Sequence, residues 1–198
     1  MAETPLRLFV AVELPAHVRS ALGASIERLR SRLSGSYRWV RPEGIHLTLR
    51  FLGGVEAERV DELAAALGAA VRTLDPFELR LDAAGVFPNA RAPSVVWAGL
   101  SGGSAALTRL VGAVGIATAG VGEPAESRPY TPHLTLGRVR DRLGRQDAEA
   151  LSAALRGLTY EAAAPFRVEG VSLMRSEIGP GGPRYTRLAD APLGRADA

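Results

Sequence analysis

Apolar positions along the chain follow two rhythms. LRLFVAVEL reads as a buried strand, and Pro15 then opens a helix with Val18, Leu22, Ile26, Leu29 and Leu33 recurring at helical spacing. YRWV and IHLTLRFL return to strand patterning, followed by a helix over roughly Glu56 to Leu74 with Val60, Leu63, Leu67, Val71 and Leu74 on one face. FELRLDAAGVF and SVVWAGL are strands separated by the turn-rich PNARAP. The remainder predicts a helix over Ser104 to Ala119, a strand HLTLGRV, a helix over Gln146 to Leu155, and strands FRVEGVSLM and RYTRL around the turn GPGGP.

This order of elements is an internal repeat. Arg41-Pro42 precedes His46-Leu47-Thr48-Leu49, and Arg128-Pro129 precedes His133-Leu134-Thr135-Leu136, so RPxxxHLTL occurs twice. The two histidines are 87 residues apart (46 to 133), as are the two arginines (41 to 128), and the same offset aligns Leu8–Val12 with Val95–Gly99. Strands joined by short turns point to antiparallel pairing. The expected fold is α+β and bilobal: two pseudo-twofold-related lobes of antiparallel sheet with packed helices, residues 1–198 forming one domain with a cleft between its lobes.

Composition narrows the chemistry. A chain of 198 residues with 46% hydrophobic content can bury a core of ordinary size. It has no cysteine, which removes thiol nucleophiles, disulfides and cysteine-ligated zinc. All 24 basic residues are arginine, which removes Schiff-base catalysis and the lysine of a Walker loop. The pI of 9.9 overstates the charge, because arginine titrates so late; the formal net charge is only +3. MAETPLRLFVAVELP shows no signal-peptide pattern, and no long apolar stretch follows, so a soluble, cytoplasmic monomer that does not engage a membrane is expected.

The duplicated segment carries the candidate chemistry. Side chains alternate along a strand, so His46 and Thr48 share one face while Leu47 and Leu49 anchor the other; His133 and Thr135 repeat the arrangement beside Leu134 and Leu136. If the lobes face each other, two imidazoles and two hydroxyls converge. An imidazole titrating near ~6.5 serves as acid or base at neutral pH, and a pair flanking one centre serves as both. Phosphodiester hydrolysis needs that division, because water enters opposite the departing oxygen. Thr48 and Thr135 would donate to the non-bridging oxygens, and Arg138, five residues beyond His133, would add a charged contact to phosphate.

The paired HLTL segments, the opening RLFVAVELP and the ending SLMRSEIGPGGPRYTRL resemble the two-histidine phosphoesterase superfamily, in particular its RNA 2′,3′-cyclic phosphodiesterase branch, also called 2′-5′ RNA ligases. The resemblance spans nearly the whole chain. It implies a bilobal fold, no cofactor and no metal. It implies hydrolysis of an RNA 2′,3′-cyclic phosphate end, or of a cyclic nucleotide, to a 2′-phosphomonoester, and joining of tRNA halves by the reverse chemistry. It carries the motif roles onto His46, Thr48, His133 and Thr135, with Arg138 matching the arginine after the second motif, and makes His46 the acid to the 3′ oxygen and His133 the base. The first copy has Phe51 where the second has Arg138, so the lobes are chemically unequal.

Other readings use other residues. Gly99-Leu100-Ser101-Gly102-Gly103 fits the G-x-S-x-G elbow of serine hydrolases, but the repeat aligns Ser101 with Leu14, and capping of the next helix accounts for the segment. A metal site would need carboxylates at ligand spacing beside the histidines, and none is there. A non-catalytic RNA-end binder would use Trp39, Tyr130 and the arginines, with Tyr130 and Phe51 available to stack a base. His17, in the first turn of its helix and without a partner at the offset, is expected to face solvent.

Overall fold

The structure, a computed structural model, describes residues 4–35, 37–124, 129–160, 163–180 and 182–194. Arg128 of the second RPxxxHLTL copy lies outside them. Nine strands and four α-helices follow in chain order among the described residues. They are β1 (Leu6–Glu13), α1 (Ala16–Arg32), β2 (Tyr37–Trp39), β3 (His46–Val55), α2 (Val60–Val71), β4 (Phe77–Phe87), β5 (Val95–Ser101), α3 (Ser104–Ala117), β6 (His133–Val139), α4 (Arg145–Arg156), β7 (Phe166–Val168), β8 (Gly170–Gly179) and β9 (Gly182–Pro192).

The strands form one curled sheet in the order β7-β4-β5-β6-β3-β1-β8-β9, with β2 added to β6, and every pairing is antiparallel. Bilobal α+β architecture is what the sequence predicts. At the 87-residue offset β1 falls on β5, α1 on α3, β3 on β6 and α2 on α4. The lobes are not contiguous in sequence, however. β4 ends the first half but pairs with β5, and β8, from the second half, pairs with β1. Each half lends a strand to the other lobe, and the helices cross-pack correspondingly, α2 on α3 and α1 on α4.

One face of the sheet is covered by the helices. Leu8, Val10, Val12, Leu47, Val96, Leu134, Leu136 and Leu173 meet Val18, Leu22, Leu63, Leu67, Leu110 and Leu151 there in a single core. Those helical residues recur at the spacing that gives each helix its apolar stripe. The other face carries a small cluster of Phe9, Ala11 and Met174, with Phe51 and Tyr185 packed against it. This second face is left open as a cleft.

β3 and β6 meet through one residue pair, Leu47 and Leu134. These leucines are equivalent under the repeat and both fully buried. An antiparallel contact between equivalent residues places the pseudo-twofold axis through that point, so His46 in one lobe and His133 in the other hold equivalent, rotated positions.

Candidate active site

The axis fixes the geometry of the site. Antiparallel register through Leu47 and Leu134 sets His46 across from Thr135 and Thr48 across from His133, all four on the open face. The histidines are then diagonal neighbours on adjacent strands, a relation that separates backbones by about 7–8 Å. All four line a cleft of about 490 Å³.

Each imidazole is fixed in the same way. Nδ1–H of His46 donates to the carbonyl of Gly44 (2.9 Å), and Nδ1–H of His133 donates to the carbonyl of Thr131 (2.8 Å). A carbonyl only accepts, so Nδ1 carries the proton in both rings and the Nε2 lone pair is directed away from the backbone. Gly44 and Thr131 are themselves 87 residues apart, so this feature was readable from the repeat. Aromatic rings hold the imidazoles from the side. Phe9 stacks on His46 at 4.7 Å and Tyr185 meets it edge-on at 4.9 Å, while Phe87 meets His133 edge-on at 5.0 Å. None of Phe9, Phe87 and Tyr185 was singled out from the sequence.

Burial pushes His46 below the ordinary histidine value of 6.5; the hydrogen bond to Gly44 and the carboxylate of Glu13 oppose that, and His133 adds to it. That His133 acts on His46 is what a shared cleft requires. Glu13 is the cross-strand partner of His46, accepts a hydrogen bond from Ser172 (2.7 Å) and pairs with Arg187.

Arg138 reaches the cleft through a backbone irregularity the sequence did not disclose. Strict alternation would place a residue five beyond His133 on the leucine face. In β6, Thr135 and Gly137 pair with consecutive residues of β5, Trp97 and Val96, leaving Leu136 as an extra residue. A bulge of this kind reverses the facing of everything after it. β3 has the same bulge at the equivalent Leu49, where Thr48 and Arg50 pair with Ala11 and Val10. Arg138 and Phe51 therefore both turn into the cleft, and Arg50 turns to the helix side, donating to the carbonyl of Gly115 (3.2 Å).

Arg7, Arg38 and Arg41 line the cleft with Arg138, and among the described residues no carboxylate does. Trp39 lines it too, stacked on Tyr37 at 5.1 Å, and so does Phe51, with the Arg7 guanidinium 4.6 Å over its ring. Tyr130 has a different task. Its hydroxyl donates to the main-chain carbonyl of Thr48 (2.9 Å), tying the segment before His133 to β3, and it is absent from the cleft lining. His17 is exposed on α1.

Ser101 ends β5 and lines a separate depression of about 360 Å³ with Arg80, Asp82 and Tyr160. Only three histidines exist, His17 on α1 and the two in the main cleft, so Ser101 has no imidazole to activate it. The segment does cap the next helix, through its backbone. The N-cap of α3 is Gly103, with no side-chain cap bond, and the turn is made by Gly102 (φ 76) and Gly103 (φ 52), a left-handed conformation that glycine adopts readily.

Curled antiparallel sheet, duplicated helix pairs and two symmetric His-Thr strands facing one cationic cleft define a class, and comparison with known proteins places the chain within it. The model of the 2′-5′ RNA ligase superfamily matches residues 18–180, and the chain belongs to that superfamily. A Methanothermobacter thermautotrophicus protein named RNA 2′,3′-cyclic phosphodiesterase is 33% identical over 183 residues, covering 92% of this chain and 96% of its own. A protein of the same name from Thermus thermophilus is 34% identical over 192 residues, covering 92% and 88%. Among solved structures, a Thermus thermophilus protein superposes with a TM-score of 0.76 at 30% identity, covering 97% of this chain and 100% of its own. E. coli LigT complexed with 3′-AMP superposes at 0.73 and 30% identity, covering 96% and 98%.

Proposed function

We propose that this protein hydrolyses 2′,3′-cyclic phosphate at RNA ends, and in nucleoside 2′,3′-cyclic monophosphates, to the 2′-phosphomonoester without a metal ion. The observation that carries the proposal is the pairing of Leu47 with Leu134, which brings two identically oriented imidazoles to one cleft. The relatives named RNA 2′,3′-cyclic phosphodiesterase, and the 3′-AMP held by LigT, support the same substrate class.

In the proposed reaction Nε2 of His133 takes a proton from water as its oxygen bonds to phosphorus. The bond from phosphorus to O3′ breaks, and Nε2 of His46 gives its proton to O3′. Thr48, Thr135 and Arg138 hold the non-bridging oxygens, where charge accumulates. A 5′-hydroxyl in place of water would give a 2′-5′ linkage by the same steps, the chemistry of tRNA-half joining. Because every group comes from one chain, the proposed working form is a monomer, in the cytoplasm.

Incubation with each nucleoside 2′,3′-cyclic monophosphate in excess EDTA tests the proposal. The expected product is the nucleoside 2′-phosphate at undiminished rate. Formation of the 3′ isomer would reverse the assigned leaving oxygen, and activity lost to EDTA and restored by zinc would overturn the metal-free mechanism.

A further inference from the structure

Arg38 on β2 and Arg138 on β6 are direct cross-strand partners. Like charges directly opposite each other destabilise a strand pair. Neither arginine forms an ion pair with a carboxylate among the described residues, and the cleft they share has no acidic lining residue among them. Repulsion of this kind turns to attraction when an anion sits between the charges.

Tyr185 shows where that anion would lie. Its ring edge meets His46. Burial raises its pKa, while Arg138, Arg38 and Arg7, which line the same cleft, pull against that rise, so three guanidinium charges act on a hydroxyl that remains a neutral donor at neutral pH. One tyrosine thus links the His46 imidazole to the arginines. Gly182, at the tip of the β8–β9 hairpin, keeps this corner open; a Cβ there would come 2.8 Å from the Arg38 guanidinium.

We propose that Arg38, with Arg7 and the Tyr185 hydroxyl, forms a second phosphate subsite next to the reacting one, which takes the phosphate on the 5′ side of the terminal nucleotide. This rests on the hydrolytic reading above. The preferred substrate is then a nucleotide carrying a 5′-phosphate group, either as the diester of a continuing RNA strand or as a terminal monoester. A bare nucleoside cyclic phosphate lacks the second anion.

Three probes separate these cases: a nucleoside 2′,3′-cyclic phosphate, its 5′-phosphorylated form, and a dinucleotide ending in the cyclic phosphate. For the wild-type protein, kcat/KM is expected to be about tenfold higher for one or both phosphate-bearing probes, the effect of roughly one charge-assisted contact. A higher value for the dinucleotide alone assigns the subsite to an RNA strand, and for the monoester alone to a free 5′ end. Arg38→Gln is expected to collapse the preference toward unity, and Arg38→Lys to retain part of it. Equal kcat/KM for all probes in the wild type, or an equal loss on all probes in Arg38→Gln, would overturn the subsite. Binding of the corresponding 2′-phosphate products, with and without the 5′ phosphate, gives the same ratio without turnover. An intact affinity ratio with no hydrolysis of any probe would support the subsite and overturn the hydrolytic reading instead.

Discussion

His46 and His133 have the same backbone bond, and each turns Nε2 away from it, but their neighbours differ. His46 stacks on Phe9 and faces Glu13 across the strand pair, whereas His133 lies opposite Gly99 and makes a T-shaped contact with Phe87. Burial lowers the pKa of His46 below 6.5. A general acid must be protonated before attack, so activity falls as pH rises through its pKa, and a lowered pKa moves that fall to lower pH. If His46 is the acid, kcat/KM plotted against pH will have its alkaline limb below 6.5. An acid limb below that value, with the alkaline limb above it, would make His46 the base. The same lowering sets a stability trend. Below the unfolded value the unfolded chain takes up a proton at His46 more readily than the folded one, so this residue's contribution is present above 6.5 and lost as pH falls toward the folded value. Urea midpoints from pH 7 to 5 will fall less in His46→Gln than in the wild type if that holds, and identical slopes would contradict it.

At the scale of the element, the seam between β3 and β6 bears most of the geometry on least contact. One residue pair joins the strands, and both leucines have no exposed surface. Truncating either opens a cavity where two lobes meet. Leu47→Ala and Leu134→Ala are each expected to cost about 2–5 kcal/mol in urea unfolding, with the double variant costing less than the two together because the cavities merge. Strict additivity would mean that the leucines do not share a packing site. The sequence disclosed these strands and their inward leucines through simple alternation. It did not disclose the bulges at Leu49 and Leu136, because an extra residue leaves no mark in a hydrophobic pattern. Arg138 is a candidate by its place five residues beyond His133 and by the resemblance, yet alternation alone would turn it away from the histidine. Ser101 went the other way: its motif was visible, but the partner it needs lies in another part of the fold.

For the whole molecule, duplication is the fact from which the site follows. Two copies of one strand, related by an axis through Leu47 and Leu134, cannot avoid presenting their histidines to each other. The repeat made that meeting predictable from the sequence alone. The exchange of β4 and β8 between lobes was not predictable, since which distant strands pair is decided by tertiary packing rather than by local pattern. That exchange also binds the lobes together, so the cleft is carried by one continuous sheet. Among the described residues the four arginines in the cleft, Arg7, Arg38, Arg41 and Arg138, come from three separate stretches of the sequence, which is why a net charge of +3 gives little hint of them.

The most direct measurement is turnover of a nucleoside 2′,3′-cyclic phosphate by His46→Ala and His133→Ala, alongside each variant's affinity for the 2′-phosphate product. Each is predicted to lose about 10²–10⁴ in kcat, the usual contribution of one proton transfer, while affinity changes by only a few-fold. Wild-type turnover in either variant would contradict the paired mechanism.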